Sequence, residues 1–257
     1  MSRMHAFEGI QNFRDFGDYP AAGKHVRKGL LYRSGHHARA SDADVATMAA
    51  MKLSAIVDLR RPLERARHPS RRAETCGATL IANDDTTPDA ESWSEFVKTS
   101  DLSADSFRDH SLRFYRRALF EPHYADVFAR YFAALSEGEG PILVHCMGGK
   151  DRTGILAALT HTILGVHRDD IIEDFLLTNN EARFEREAPS FIAAFEELLG
   201  RAPAPAALRV AMGVEPAWLE AALGAATEAC GSVEGYLETA LGVDAKRRDA
   251  IEARLFV

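Results

Sequence analysis

Short apolar segments alternate with helical patterns through the first 150 residues of the chain. Four segments have the apolar character of buried strands; they span residues 29–35, 54–59, 79–82 and 141–145. Helical patterns follow polar N-cap and proline signals between these segments; they cover residues 41–52, 62–67 and 122–135. Because strands joined by helices pair in parallel through right-handed crossovers, this order predicts an α/β fold with a central, mostly parallel sheet of four or five strands flanked by helices.

After residue 150 the pattern is almost entirely helical. Glycines divide the predicted helices, which cover residues 154–164, 168–178, 180–199, 215–228, 232–241 and 244–255. This large helical C-terminal part is expected to pack on the sheet, and residues 168–215 are either a lid over the site or part of the core. Residues 86–111 are polar and predict only an excursion with some helix. No linker divides the chain, so residues 1–257 are predicted to form a single domain.

Composition excludes several classes of protein. The 257 residues are 46% hydrophobic and 27% charged, as in folded globular proteins. A net charge of −7, from 31 Lys and Arg against 38 Asp and Glu, argues against broad nucleic-acid binding. No apolar run reaches the roughly 18 residues of a membrane span. Three cysteines cannot form a disulfide framework. The default expectation is a cytoplasmic protein of unpredicted oligomeric state, with export without a cleavable signal left open.

The candidate chemistry lies between the fourth predicted strand and the next helix. The sequence there reads His145, Cys146, Met147, Gly148, Gly149, Lys150, Asp151, Arg152, Thr153, Gly154. A cysteine in this position lies at the carboxyl edge of the sheet, and the following helix N-terminus favours an anion and a thiolate. The two glycines let backbone amides converge, and Arg152 offers a planar fork for two phosphate oxygens. The pattern predicts a binding site for a phosphate monoester.

Each residue of this segment has a predicted role. Cys146 attacks phosphorus, and water then hydrolyses the phosphocysteine. The phosphate oxygens are bound by the guanidinium of Arg152 and by the loop amides, so that the phosphate-binding residues are Met147, Gly148, Gly149, Lys150, Asp151 and Arg152. Thr153 donates a hydrogen bond to the departing sulfur, and His145 orients the loop. Neither a metal nor another cofactor is predicted, because these groups neutralise the developing charge.

The segment resembles the phosphate loop of cysteine-dependent protein tyrosine phosphatases, in which arginine follows cysteine by six positions. Residues 149–154 are most similar to an atypical bacterial branch of tyrosine and dual-specificity phosphatases, some of which act on phosphoinositides. Weaker similarities span nearly the whole chain; they lie at residues 12–15, 32–35, 57–60 and 231–237. The resemblance implies a cysteine-phosphatase-like fold and hydrolysis of phosphomonoesters. Phosphotyrosine is the leading substrate, with phosphoserine, phosphothreonine and phosphoinositides left open.

The sequence offers more than one candidate for the general acid. The resembled branch has an aspartate within the phosphate loop, next to the arginine, and a carboxyl group beside a phosphate suits a proton donor. This favours Asp151. An acid from a separate loop is the alternative, and Asp84 or Asp85 follows the third predicted strand where such an acid would fall. Lys150 either adds charge that favours multiply phosphorylated substrates or is a solvated loop lysine.

Two other functions fit parts of the motif. A rhodanese-type sulfurtransferase also uses a loop cysteine at a strand end, but the Arg152-Thr153 ending argues against it. A non-catalytic phosphate-binding module would keep Arg152, but the presence of both Cys146 and Asp151 argues against it. The expected partners are a phosphorylated protein or a phosphoinositide substrate, with no nucleic acid and no membrane span.

Overall fold

The central sheet is assembled from short strands. In this computed structural model, residues 7–73, 76–87 and 91–257 are described. Within these ranges the strands are β1 (Arg14–Asp15), β2 (Pro20–Ala21), β3 (Lys24–His25), β4 (Leu31–Ser34), β5 (Ala55–Asp58), β6 (Thr79–Ile81) and β7 (Ile142–His145). The sheet has the order β1-β4-β7-β5-β6, and β2 pairs with β3 in a separate hairpin. Strands β4, β7, β5 and β6 are parallel to one another, whereas β1 is antiparallel to β4.

Helices make up most of the remaining described chain. They are α1 (Asp42–Ala50), α2 (Pro62–Arg67), α3 (Trp93–Thr99), α4 (Ala104–Ala118), α5 (Pro122–Glu137), α6 (Asp151–Ile163), α7 (Arg168–Leu176), α8 (Glu181–Leu199), α9 (Pro205–Met212), α10 (Pro216–Cys230), α11 (Val233–Leu241) and α12 (Ala245–Leu255), with a 3-10 turn at Leu177–Asn179. The α/β class, the mostly parallel sheet and the large helical C-terminal part are therefore confirmed. None of the described helices has both the length and the apolar character needed to span a lipid bilayer.

The side chains of β7 divide the core into two layers. Ile142 and Val144 join the larger apolar cluster, with α5 and α6. Leu143 points to the opposite face and joins a smaller cluster with Ile56 and α1. All four residues of β7 are buried because the strand has neighbours on both edges. The carboxyl end of this central strand therefore brings Cys146 to the middle of the sheet edge where ligands bind in such folds.

Several elements differ from the sequence prediction. The polar excursion at 86–111 contains α3 and most of α4, and α9 occupies a segment for which no helix was predicted. Polar residues dominate α4 because only one of its faces is buried, and this polar composition predicted an excursion rather than a helix. Strand β1 has two residues, too few to show an alternating pattern. Helix α6 begins at Asp151 rather than near residue 154, so that Asp151, Arg152 and Thr153 lie in its first turn.

A buried ion-pair cluster joins α7 to the sheet. The Oδ1 atom of Asp174 lies 3.2 Å from Nε of Arg14, and its Oδ2 lies 2.6 Å from Nη1 of Arg33. Burial alone would raise the pKa of Asp174, but the charges of the two arginines outweigh it and the pKa is lowered. One carboxylate is therefore the shared counter-ion of two guanidinium groups that are fully buried. Its removal would leave buried cations without a counter-charge.

We predict that Asp174→Asn lowers the free energy of unfolding at neutral pH by about 3 kcal/mol, because both buried arginines lose their counter-ion. The pKa of Asp174 is lower in the folded protein than in the unfolded chain. Its contribution to the free energy of unfolding is therefore complete above the unfolded-state pKa of about 4 and is lost as the pH falls from there through the folded-state pKa. Urea unfolding of the wild type and of Asp174→Asn at several pH values measures the difference in free energy of unfolding. Asp169→Asn, on the exposed side of the same helix, is the matched control, and an equal effect of both variants would contradict the prediction.

Candidate active site

The loop that follows β7 can take its path only because residue 149 is glycine. Gly149 has a φ of +65°, in the left-handed region that disfavours other residues. A Cβ atom on Gly149 would lie 2.4 Å from the backbone carbonyl group of Ser34, at the end of β4. The loop therefore packs directly on the neighbouring strand. Cys146 begins the loop and is 2% exposed.

Donors outside the loop hold its carbonyl groups. Nδ2 of Asn12 donates to the carbonyl oxygen of Gly149 at 2.8 Å, and Nη2 of Arg33 donates to the same oxygen at 3.1 Å. The backbone N–H of His36 donates to the carbonyl oxygen of Met147 at 2.9 Å. In a trans peptide the N–H points opposite to the C=O. The N–H groups of residues 148 and 150 therefore point away from these donors, as a loop that binds an anion requires.

Glu64 of α2 fixes the orientation of Arg152. The Nη1 atom of Arg152 lies 2.6 Å from Oε2 of Glu64, and its Nη2 lies 2.8 Å from Oε1. Nη1 also donates to the carbonyl oxygen of Leu59 at 3.3 Å. This is a bidentate pair, the arrangement that restricts a guanidinium group most strongly. The side chain of Arg152 is 13% exposed, so the guanidinium is not directed into bulk solvent.

Tyr115 of α4 binds the carboxylate of Asp151. The hydroxyl group of Tyr115 donates to Oδ1 of Asp151 at 3.0 Å, and Tyr115 is fully buried. Burial raises the pKa of Tyr115 well above its ordinary value, and the charge of Asp151 raises it further, so the phenol remains protonated. Asp151 thus has one oxygen that is held by the protein. Its side chain is 27% exposed and stays accessible beside the loop.

Lys150 is not the solvated loop lysine that the sequence allowed. Its ammonium group donates to the carbonyl oxygens of Ala211 at 2.7 Å and Gly213 at 2.9 Å, at the C-terminal end of α9. It also lies 5.8 Å from the ring centroid of Trp218 and 3.7 Å from Oδ1 of Asp151. Burial lowers its pKa. Lys150 connects the loop to the helical C-terminal part.

His145 and Thr153 flank the loop and are both fully buried. The ring of His145 lies 4.3 Å from that of His37, and its Nε2 lies 3.5 Å from Oδ2 of Asp58. Burial lowers the pKa of His145 to about 4 although Asp58 opposes the shift, so the imidazole is neutral at neutral pH. The Oγ1 atom of Thr153 has no hydrogen-bond partner among the described residues, which leaves its proton available.

The alternative acids lie apart from this arrangement. Asp84 is 95% exposed and pairs with Arg65 of α2. Asp85 is exposed and accepts hydrogen bonds from the backbone N–H of Thr87 at 2.9 Å and from its hydroxyl group at 2.7 Å. In the described part of the chain, neither aspartate has a hydrogen bond or ion pair to residues 145–153. Asp151 is next to Arg152 in the first turn of α6, whereas Asp84 and Asp85 belong to a surface turn.

Sequence reasoning missed Glu64 and Tyr115. Glu64 accepts a hydrogen bond from the backbone N–H of Arg61 at 2.8 Å, the position of a helix-capping residue, and the sequence indicated only the helix start. Its partner Arg152 is 88 residues away, a separation that no local pattern reveals. Tyr115 lies in the helix that the sequence did not resolve. Neither residue carried a signal of its own.

No group of three or more His, Cys, Asp and Glu side chains in the described ranges is arranged to hold a metal ion. Because the central parallel strand ends at Cys146 and Glu64 orients Arg152 beside the glycine loop that follows, the fold and the site indicate a cysteine-dependent phosphatase.

Comparisons with known proteins agree with this class. The model of the tyrosine phosphatase family matches residues 5–257. H16_A0669 of Cupriavidus necator, assigned by name to the tyrosine-protein phosphatases, is 33% identical over 93% of this chain and 84% of its own length. The triple specificity protein phosphatase PtpB of Mycobacterium tuberculosis is 30% identical over 90% of this chain and 92% of its own length. The chain therefore belongs to the tyrosine phosphatase family and is a protein tyrosine phosphatase, which confirms the resemblance and the enzyme class inferred from the loop.

We predict that Glu64→Gln lowers kcat/KM for p-nitrophenyl phosphate by about 10²-fold, because the bidentate pair that orients Arg152 is broken. Steady-state kinetics of the folded variant, checked by circular dichroism, measures the loss. Arg65→Gln removes a charge from the same helix without touching Arg152, and its kcat/KM should stay within about twofold of wild type. Equal activities for Glu64→Gln and Arg65→Gln would show that Glu64 does not act through Arg152.

Proposed function

We propose that the protein hydrolyses phosphotyrosine in proteins through a phosphocysteine on Cys146. The observation that carries this proposal is the pairing of a buried cysteine at the end of β7 with Arg152, whose guanidinium is oriented by Glu64 beside the same loop. Membership of the tyrosine phosphatase family supports it. Because backbone amides and a guanidinium can stabilise the charge on the transferring phosphoryl group, the residues present suffice for both chemical steps.

The first step transfers the phosphoryl group to sulfur. The Cys146 thiolate attacks phosphorus, a sulfur–phosphorus bond forms and the bond to the ester oxygen breaks. Asp151 donates its proton to the departing oxygen, which leaves as the tyrosine hydroxyl group. Arg152 and the loop N–H groups bind the equatorial oxygens. The hydrogen bond from Tyr115 engages Oδ1 of Asp151, so Oδ2 is the atom that carries the transferred proton.

The second step releases phosphate. Asp151, now a carboxylate, accepts a proton from the water that attacks phosphorus, and the sulfur–phosphorus bond breaks. The thiolate of Cys146 is regenerated, and inorganic phosphate leaves. Thr153 donates its hydroxyl proton as a hydrogen bond to the departing sulfur; its lack of another partner among the described residues supports this role. His145, neutral and buried, orients the loop through the contact of its Nδ1 with the carbonyl oxygen of Cys146 at 3.4 Å.

The range of substrates depends on the surroundings of Lys150 rather than on the groups that carry out the two chemical steps. The ammonium group of Lys150 donates to the carbonyl oxygens of Ala211, in α9, and of Gly213, which follows it, so two of its three N–H donors are already engaged and less remains for a second substrate phosphate. This favours substrates with a single phosphate. Phosphoserine, phosphothreonine and phosphoinositides are alternative substrates, and the name of the relative PtpB, a triple specificity protein phosphatase, is the reason to test them.

Residues 1–257 act as one phosphatase domain in this proposal, with α8 and α9, inside the range 168–215, as its lid. Two contacts support the lid. Nη1 of Arg39 donates to Oγ of Ser190 in α8 at 3.0 Å, and Lys150 binds the end of α9. A cytoplasmic location and the absence of a nucleic-acid partner stay predictions from the sequence.

Cys146→Ser is expected to lower the hydrolysis of p-nitrophenyl phosphate and of a phosphotyrosine peptide by at least about 10³-fold, because an alcohol replaces the sulfur nucleophile. Phosphate release in buffer that contains a metal chelator measures this loss of activity. Binding of inorganic phosphate to the variant checks that its loop is intact. Wild-type protein that binds phosphate without turnover would indicate a binding module, and a serine variant as active as wild type would refute the phosphocysteine.

Asp151→Asn is expected to lower kcat/KM for a phosphotyrosine peptide, which reports the first chemical step and not hydrolysis of the phosphocysteine, by about 10²-fold, because the tyrosine oxygen must be protonated as it leaves. The loss should be much smaller for p-nitrophenyl phosphate, whose leaving group departs without a proton. Asp84→Asn and Asp85→Asn are the matched controls and should leave both activities unchanged. A loss that depends on the leaving group in either control, but not in Asp151→Asn, would assign the acid to the surface turn instead.

A further inference from the structure

Helix α8 carries a buried arginine to the edge of the phosphate loop. Arg183 is 5% exposed, and its Nη1 donates to the carbonyl oxygens of Thr178 at 3.1 Å and Met212 at 3.0 Å. A Cβ atom on Gly148 would lie 3.9 Å from Nη2 of Arg183. Because residue 148 has no side chain, nothing from that position separates this guanidinium group from the loop backbone.

The charge of Arg183 has no hydrogen-bonded counter-ion. The other buried arginines near the site bind carboxylates directly: Arg14 and Arg33 pair with Asp174, and Arg60 pairs with Asp58. No carboxylate of the described residues lies within 4.0 Å of Arg183, and its Nε is buried without a partner. A buried cation in this condition is unfavourable unless an anion compensates it.

The anionic groups around Arg183 are Glu187, on its own helix, and two groups of the candidate site. Burial lowers the pKa of Arg183, whereas the charges of Glu187, Asp151 and Cys146 raise it. Two of these three groups belong to the phosphate loop and the first turn of α6. Arg152 is held by Leu59 and Glu64, whereas Arg183 comes from α8, so two guanidinium groups near the loop are carried by different parts of the fold.

We propose that Arg183 is a second phosphate-binding arginine, which brings positive charge from α8 to the phosphate held by the loop. This inference rests on the proposed function of the same site. Arg152 belongs to the loop's own helix, but Arg183 is present only while α8 lies against Gly148. Phosphate affinity therefore depends on the position of α8, and a bound phosphate dianion holds that helix in place.

The test compares Arg183→Gln with Arg183→Lys and Arg186→Gln. We expect Arg183→Gln to raise the inhibition constant of inorganic phosphate and the KM for a phosphotyrosine peptide by about tenfold, the loss of one charge-assisted contact. Lysine at 183 should restore most of the affinity because it keeps the charge. Arg186→Gln removes a charge one turn away, where Arg186 pairs with Glu187, and should change the inhibition constant by less than about twofold.

A merely structural Arg183 would lower the melting temperature without changing the inhibition constant of phosphate, and that result in folded Arg183→Gln would overturn the proposal. If Arg183→Gln does not fold, the rate of amide hydrogen exchange in α8 of the wild-type protein tests the proposal instead. Phosphate should slow exchange of residues 181–190 relative to chloride at equal ionic strength, and equal exchange would overturn the proposal. Failure of the proposed function is distinguishable, because wild-type protein would then show no turnover that depends on Cys146.

Discussion

The carbonyl oxygen of Gly149 accepts hydrogen bonds from Asn12 and Arg33, and the shape of the phosphate loop depends on this shared acceptor. Each donor is itself fixed. Nη1 of Arg14 donates to Oδ1 of Asn12 at 2.5 Å, and Asp174 binds both Arg14 and Arg33. The N-terminal segment, β4 and α7 thus converge on one peptide group. Residues far from the cysteine in sequence determine the direction of the loop N–H groups that we propose as phosphate donors.

This network accounts for three of the weaker similarities to tyrosine phosphatases that accompany the strong similarity of the loop. Residues 12–15 and 32–35 contain Asn12, Arg14 and Arg33, which do not react but hold the loop from outside. Residues 57–60 contain Asp58 and Arg60, whose bidentate pair lies beside His145. Buried ionic groups are stable only with complete partners. Replacement of any one of these residues would leave a buried polar or charged partner unpaired, although their chemistry is structural.

The sequence predicted the parts of this protein that depend on local patterns. The buried strands were recognisable because they are short and apolar, and the loop was recognisable because its chemistry lies within ten consecutive residues. Glu64 and Tyr115 could not be recognised, since each acquires its role from a partner distant in the chain. Lys150 is the intermediate case: its position in the loop was evident, but the carbonyl groups that bind it come from a helix the sequence did not reveal. Local periodicity predicts elements, whereas pairing between elements requires the fold.

The hydrogen bonds of Lys150 have a mechanical consequence. The ammonium group of Lys150 joins the loop to the backbone at the end of α9. Two other side chains bind the same stretch of backbone: Arg183 donates to the carbonyl oxygen of Met212, and Asn179 donates to that of Val214. Movement of this stretch of backbone would pull on the loop through the lysine side chain. The distant helical layer thus has a physical route by which a ligand or a partner bound on its outer surface could change the rate at which the cysteine reacts.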